Sequence, residues 1–271
     1  MFGEPLRHLG TTESTNDDAL RWARDGAPNG GATDGGAPHG SVVRADSQTR
    51  GRGRLGRSWV SPPNLGLYVS VILRPDMEIA QVPQLTMLAA LAACDAIEEQ
   101  THGRAGVKWP NDIILHNRKV GGILSEARLR EARLSEARTQ EESSRVEFAV
   151  VGIGLNVNFQ ASDLPHDAKV PASSLRLESG DLVSCDALFK SLMFALQNRY
   201  ESYISGCWPD LKREFESRDV LQGRLVRVES ERETYHGRIS GMDEDGVLKV
   251  RTESGVRRVV AGDVKWDEEH D

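Results

Sequence analysis

Cysteine, long apolar runs and excess positive charge are all scarce in this chain of 271 residues. The three cysteines lie far apart, at Cys94, Cys185 and Cys207, which argues against a disulfide framework and against a cysteine-based zinc site. The longest apolar run, residues 85–93, is too short to span a bilayer, and the N-terminus lacks a cationic and then apolar signal pattern. We therefore expect a cytoplasmic protein that does not associate with membranes.

The charge balance limits the partners that the chain can attract over its whole surface. The formal net charge is -7, so general attraction to nucleic acid is disfavoured. With 38% hydrophobic residues, the chain is long enough for one large domain with a core and a small second domain.

Against this acidic background, the stretch Gly51–Trp59 (GRGRLGRSW) carries three arginines and no acid. Each guanidinium can hold phosphate or carboxylate oxygens in pairs, and glycines let backbone amides approach an anion. Trp59 offers an aromatic face for a base. From this stretch alone, a solvated basic loop or a nucleic-acid patch is as good an interpretation, but a small anionic ligand fits the acidic protein better.

The rest of the chain alternates helical and strand patterns. Ser14, Thr15 and Asn16 are good N-cap residues and predict a helix that starts there. Six glycines and two prolines predict an irregular loop over residues 26–40. Apolar patterns predict strands over 41–45, 66–74, 107–109, 112–115, 120–125 and 148–158, and helices over 84–100, 187–204 and 208–217.

Two further regions differ from the rest of the chain in composition and in residue pattern. Residues 126–147 are rich in Glu, Arg, Ala and Ser, which predicts a solvated spacer, either an exposed helix or a disordered hairpin tip, without a chemical role. From Gly223 onward, short strands and turns predict a small all-β module, a barrel like SH3 domains. We expect this module to pack on the main domain or to contact a partner, with little catalytic machinery of its own.

Four separated motifs occur in one order: ESTN at 13–16, DSQTRGRGRLGRSW at 46–59, KWPNDI at 108–113 and RKVGGIL at 118–124. Together with GIGLNVN at 152–158 they resemble biotin protein ligases. The resemblance implies an α+β fold, with a mixed-sheet catalytic domain like that of class II aminoacyl-tRNA synthetases over residues 1–217 and an SH3-like domain over 218–271. It implies that ATP activates biotin to biotinyl-5'-AMP, which is then transferred to a lysine of a biotin carboxyl carrier domain.

The resemblance also assigns candidate residues. It implies that Arg54 and Lys119 are catalytic. Magnesium is expected to accompany ATP, and Asp112 is a candidate ligand because a hard cation prefers carboxylate oxygens, although a role in a turn or a hydrogen bond explains Asp112 at least as well. Biotin would contact Ser14, Thr15, Asn16, Gln48, Arg52, Gly53, Arg54 and Lys119. ATP would contact Arg52, Arg54, Arg57, Trp59, Asn111, Asn156 and Asn158. From local sequence alone, helix capping is the better explanation for Ser14 or Thr15, and a solvated hairpin residue is the better explanation for Lys119; only the family match reverses this.

Two other functions stay open on the sequence. A lipoate or octanoate ligase of the same fold would use related chemistry, but its substrate lacks a ureido ring and needs no polar set such as Ser14, Thr15, Asn16 and Gln48. A non-catalytic nucleotide-binding or anion-binding protein would use the arginine loop without releasing pyrophosphate. The catalytic motif begins by Ser14, so we expect no N-terminal DNA-binding domain and no DNA partner, and a monomer or weak homodimer.

Overall fold

The computed structural model describes residues 1–25, 36–130, 145–165, 170–230, 233–260 and 262–266. Its larger part is a seven-stranded mixed sheet with the order β1-β2-β3-β7-β6-β5-β4. Strands β1 and β2 are parallel, and all the other neighbours are antiparallel. The strands are β1 (Leu6–Thr12), β2 (Val42–Gln48), β3 (Gly66–Leu73), β4 (Ala105–Lys108), β5 (Asp112–Leu115), β6 (Arg118–Leu129) and β7 (Val146–Asn156).

The centre of the sheet is covered on both faces, which explains why β3 is apolar along its whole length. All eight residues of β3 are buried, as expected for a central strand rather than an edge strand. The predicted strand over 66–74 is thus confirmed. By contrast, β1 was not indicated by the sequence, because this edge strand is half exposed and mixes polar residues with glycine.

One face of the sheet packs against α2 (Val82–Thr101), which in turn packs against α4 (Cys185–Ile204). Alanines at 89, 90, 92, 93 and 96 are buried and let the helix lie close to its neighbours. Over Ile79–Thr101 this segment is long and apolar enough to cross a membrane by length and composition alone, and 67% of its most apolar window is buried in the protein. Such burial is what a core helix requires.

The other face carries α1 (Thr15–Asp25) and the cavity described below. Ala19, Trp22 and Ala23 of α1 pack with Ile72 and Val150 in a small second core. The remaining helices are α3 (Leu175–Ser179) and α5 (Trp208–Arg218). The helices predicted at 84–100, 187–204 and 208–217 and the one starting near Ser14 are all confirmed, with small differences at their ends.

The C-terminal part forms a separate antiparallel sheet with the order β11-β10-β9-β8-β12, as predicted for a small all-β module. Its strands are β8 (Leu225–Glu229), β9 (Thr234–Met242), β10 (Leu248–Thr252), β11 (Gly255–Val259) and β12 (Asp263–Trp266). The module packs on the first sheet, where the Trp109 indole N–H donates to the Gly246 carbonyl at 3.3 Å. The division of the chain after residue 217 stays a prediction; α5 ends at Arg218.

Two predicted irregular regions fall largely outside the described residues. In the glycine-rich loop, the structure describes only residues 36–40, and Ala37 is buried against α1. In the charged segment, residues 131–144 are not described. The prediction of a spacer was wrong at both ends of that segment, because 126–129 belong to β6 and 146–147 to β7, where pairing between the two strands continues.

Candidate functional site

The floor of the site spans three neighbouring strands and has glycines at its centre. Gly122 on β6, Gly154 on β7 and Tyr68 on β3 stand in register, and Gly152 lies in the next row between Ser70 and Leu124. The cavity above this floor has a volume of about 700 Å³ and lies between the sheet, the arginine loop and the C-terminal module. A cavity of this size holds a ligand as large as a nucleotide.

Trp59 lies directly on the glycine floor. A Cβ built at Gly154 would stand 2.6 Å from the Trp59 Nε1, and one at Gly122 would stand 3.4 Å from the ring. Only glycine at position 154 lets a flat ring lie this close to the strand, whereas a Cβ at Gly122 would make an ordinary contact. The buried indole N–H of Trp59 has no hydrogen-bond partner in the described protein, so it can donate to a ligand.

A polar pocket lies at the start of α1. The Gln48 side-chain oxygen accepts from the Thr15 backbone N–H at 2.9 Å and from its hydroxyl at 3.1 Å. The Gln48 amide nitrogen donates to Ser61 at 2.8 Å. Ser14, Thr15 and Asn16 are each no more than 4% exposed, and all three line the cavity. The four polar residues predicted to hold biotin are therefore brought together.

The arginine loop places its three guanidinium groups around the cavity, each with a different partner. Arg52 forms ion pairs with Asp17 at 2.7 Å and with Glu126 at 2.6 Å. Arg54 donates to the Asn111 side-chain oxygen at 3.1 Å, and Arg57 pairs with Asp263 of the C-terminal module. Burial lowers the pKa of Arg54, while Asp112 and Asp263 oppose this effect. A cation that is partly stripped of water binds an incoming anion strongly.

Lys119 and Asp112 face each other at the start of the β5–β6 hairpin. The ammonium lies 2.6 Å from an Asp112 oxygen and 5.4 Å from the Trp59 ring centroid. Lys119 is therefore held at the cavity instead of projecting into solvent. Lys108 also lines the cavity; burial lowers its pKa most, while the charge of Asp112 opposes this.

The three predicted asparagines differ in position. The Asn111 amide donates to the Ile123 carbonyl at 2.9 Å, and its oxygen accepts from Arg54, so it orients that arginine. Asn156 lines the cavity and donates to the Ser173 carbonyl. Asn158 is not among the cavity-lining residues; its amide group makes two bonds to the Val183 backbone and fixes the loop before α4.

Several residues that line the cavity, or that bond to residues lining it, were missed from the sequence. Ser70 is a buried polar residue within an apolar strand, which is a signal that could have been used. Lys108 belongs to a motif but received no role. Glu126 was placed in a segment without chemistry, whereas its carboxylate contacts Arg52 and Asn16. The C-terminal module was expected to contribute little, yet residues 262–266 line the cavity.

Chemically, the cavity combines concentrated positive charge with a set of neutral hydrogen-bonding groups. The cations can bring two anions together, and the polar pocket can select a neutral ring that carries donors and acceptors. Within the described ranges, no group of three or more His, Cys, Asp or Glu side chains could hold a metal ion by itself. A metal at this site would need oxygen atoms from a substrate.

Comparisons with known proteins agree with this arrangement. Residues 32–136 match the biotin/lipoate A/B protein ligase family, and residues 222–265 match the biotin protein ligase C-terminal domain. The chain is 34% identical over 229 residues to the bifunctional ligase/repressor BirA of Bacillus spizizenii, covering 84% of this chain and 67% of that protein. It is 27% identical to the biotin--[acetyl-CoA-carboxylase] ligase of Paracoccus denitrificans, covering 94% and 98%.

Among solved structures, the biotin protein ligase of Aquifex aeolicus in complex with biotin and ATP superposes with a TM-score of 0.75. The identity is 26%, and the match covers 97% of this chain and 98% of that one. The sheet topology, the cavity between the two sheets and the sequence match all lead to the same conclusion. The chain belongs to the biotin protein ligase family.

Proposed function

We propose that this cavity uses ATP to activate biotin as biotinyl-5'-AMP and then transfers the biotinyl group to a lysine of a biotin carboxyl carrier domain. One observation carries the proposal: a cluster of cations and a neutral hydrogen-bonding pocket share a single cavity on a glycine floor. Family membership and the likeness to a neighbour that binds biotin and ATP support it.

The cations act in the first step. A biotin carboxylate oxygen attacks the α-phosphorus of ATP, the phosphoanhydride bond between the α- and β-phosphates breaks, and pyrophosphate leaves. Both reactants are anions, so positive charge must hold them together and stabilise the charge on the phosphoryl oxygens. Two residues lie where they can supply this positive charge: Arg54, which Asn111 orients, and Lys119, which Asp112 holds. Arg52 and the Gly53 backbone close over the acyl phosphate side.

The neutral pocket selects the acid. Biotin's ureido ring offers two N–H donors and one carbonyl, and a buried site discriminates strongly when all such groups are paired. Ser14, Thr15, Asn16 and Gln48 supply the matching donors and acceptors. Lipoate and octanoate have no group of this kind to pair with the remaining donor and acceptor positions of these side chains.

The nucleotide occupies the other half of the cavity. Trp59 provides an aromatic surface for adenine, while Arg57 and Asn156 reach the phosphate and ribose region. Asn158 holds the Val183 backbone outside the cavity, so we assign it no direct contact with ATP. Asp112 is our candidate magnesium ligand, because this ion is commonly bound by few carboxylates together with phosphate oxygens and water. When bound, it would neutralise phosphate charge.

In the second step, the amine of the acceptor lysine attacks the acyl carbon, AMP leaves and the amine loses a proton. The adenylate must be kept from water until that moment, and enclosure by the arginine loop serves this purpose. The carrier domain of a carboxylase is the acceptor that the family implies.

The test is incubation with ATP, magnesium, biotin and a carrier domain, followed by intact-mass measurement of the carrier and by a pyrophosphate assay. We expect the carrier to gain one biotinyl group and pyrophosphate release to depend on biotin. Release that depends on lipoate or octanoate instead would assign the cavity to the other branch of the matched family. If the protein binds ATP but releases no pyrophosphate with biotin, lipoate or octanoate, it is a non-catalytic nucleotide-binding protein.

A further inference from the structure

Glu126 contacts both the arginine loop and the start of α1, two parts of the site that have so far been described separately. It follows Leu124 by two residues on β6, on the face that carries the cavity. One carboxylate oxygen accepts from Arg52 at 3.0 Å, and the other accepts from Arg52 at 2.6 Å and from the Asn16 amide at 2.8 Å. The same side chain thus holds the arginine loop and the start of α1.

The carboxylate determines which way the Asn16 amide points. Its nitrogen donates to Glu126 and, at 3.2 Å, to the Leu124 carbonyl, so both N–H groups face acceptors. Its oxygen lies over Gly152, where any Cβ would overlap it, and accepts from the Ser70 hydroxyl at 2.6 Å. Turning the amide over would set its oxygen against a negative carboxylate, which is unfavourable.

The fixed orientation of the Asn16 amide also affects the other residues of the polar pocket. Ser70 has a single proton, which it shares between the Asn16 oxygen at 2.6 Å and the Thr15 hydroxyl oxygen at 2.8 Å. Thr15 donates in turn to Gln48. The connected groups therefore run from Glu126 through Asn16, Ser70 and Thr15 to Gln48. Three of these five residues are the ones that the proposed function assigns to biotin.

We propose that Glu126 is a positioning residue for biotin: it orients Asn16, sets the pattern of donors and acceptors that faces the ureido ring, and ties this pattern to Arg52. The inference rests on the proposed function and adds a determinant of its specificity. It acts through Asn16 and Arg52.

Glu126→Gln is the sharpest variant because it preserves shape and removes the charge. Both carboxylate oxygens contact Arg52, so the glutamine nitrogen faces an Arg52 N–H in either orientation, and in one of them it also faces the Asn16 amide. The ion pair with Arg52 is lost in both cases, and the Asn16 amide loses its single orientation in the second. The affinity for biotin should fall about tenfold, as expected when a buried polar set is mispaired. The KM for ATP and the kcat at saturating biotin should change less than the KM for biotin.

A change of selectivity separates positioning from a merely structural role. In 2-iminobiotin an NH group replaces the ureido carbonyl oxygen, so a hydrogen-bond donor stands where biotin has an acceptor. We expect the ratio of affinities for biotin and 2-iminobiotin, measured by calorimetry, to shrink in Glu126→Gln. Glu126→Asp keeps the charge and should return the ratio toward that of the unmodified protein.

The matched control is Glu147→Gln on the neighbouring strand, where the carboxylate pairs with Arg128 at 3.4 Å. It should leave the KM for biotin and the selectivity ratio unchanged. An unchanged ratio in Glu126→Gln, or an equal loss for biotin, 2-iminobiotin and ATP with a lower melting temperature, would overturn the inference. If the unmodified protein releases no pyrophosphate with biotin, the proposed function itself fails, which is a distinct result.

Discussion

At the scale of single residues, the floor of the cavity shows how a missing side chain creates a site. The Asn16 oxygen occupies the space that a Cβ at Gly152 would need, and Ser70 and Leu124 flank that glycine in register. We expect Gly152→Ala to displace Asn16, to cost about 1–3 kcal/mol of folding free energy through overpacking, and to weaken biotin binding. Urea denaturation and calorimetry measure the two effects.

The control for this variant is Gly10→Ala on β1, because a Cβ at Gly10 would meet no atom within 4 Å. It should leave both stability and biotin affinity near their original values. A stable Gly152→Ala protein that binds biotin normally would show that Asn16 has no fixed place in the pocket.

A second prediction at this scale concerns Arg54. Arg54→Gly removes the guanidinium that Asn111 orients toward the cavity, while the loop keeps its glycine-rich backbone. The fold should stay intact, and adenylate should form slowly or escape into solution, with ligation reduced by about two orders of magnitude, as for the loss of one charge-stabilising donor. Filter-binding of radiolabelled intermediate, with the exposed Arg104→Gly as control, checks this. Normal retention of the intermediate in Arg54→Gly would contradict the role.

At the scale of whole elements, the pattern of apolar residues was a good guide where elements are buried and a poor one where they are not. The strand β3 and the helices α2 and α4 could be predicted because burial demands apolar side chains. The edge strand β1 and the polar end of β6 could not, because pairing with a neighbour holds them. The contact of Glu126 with Arg52 spans 74 positions and leaves no trace in local spacing.

The junction between α5 and the C-terminal module depends on the buried Asp219. Its carboxylate accepts from the Leu221 backbone N–H at 3.1 Å and from that of Trp109 at 3.5 Å. Burial raises the pKa of Asp219 to about 6, from an ordinary value of 3.8. Because the folded state holds the proton more tightly, this group stabilises the fold below pH 3.8, and that contribution is lost as the pH rises through about 6.

Asp219→Asn should therefore flatten the dependence of stability on pH between about 4 and 6. The amide oxygen can still accept from both backbone groups, and no charge has to be buried. Relative to the original protein, the variant should gain on the order of 1–3 kcal/mol between pH 4 and pH 8. Urea denaturation across this range measures it. The exposed Asp181→Asn controls for losing one acidic charge, and parallel curves for Asp219→Asn and the original protein would rule out the proposed titration.

At the scale of the whole molecule, residues from both sheets form the site. The motifs that could be recognised in the sequence all lie on the larger sheet and its loops, whereas residues 262–266 come from the last strand of the module. Their role could not be predicted, because the contact depends on how the module packs against the arginine loop. Asp263 and Arg57, which are 206 positions apart, meet only through that packing.

The contact between Asp263 and Arg57 leads to a prediction about the affinity for the nucleotide. Asp263 pairs with the cation that we assign to phosphate, so a triphosphate must compete with this carboxylate for Arg57 and also experiences its negative charge. We expect Asp263→Asn to bind a non-hydrolysable ATP analogue about two- to fivefold more tightly, a modest change because the pair is partly exposed. The gain should decrease at high salt, where charges in contact with water are screened.

Calorimetry with the analogue at low and high ionic strength provides the measurement, and Asp245→Asn is the matched control. Asp245 belongs to the same module but pairs with Arg258, and neither residue lines the cavity. Its loss should leave nucleotide affinity unchanged at both salt concentrations. If Asp263→Asn binds the analogue with unaltered or weaker affinity at low salt, the phosphates do not lie near Arg57, and the C-terminal module then acts on the site by closing it rather than by charge.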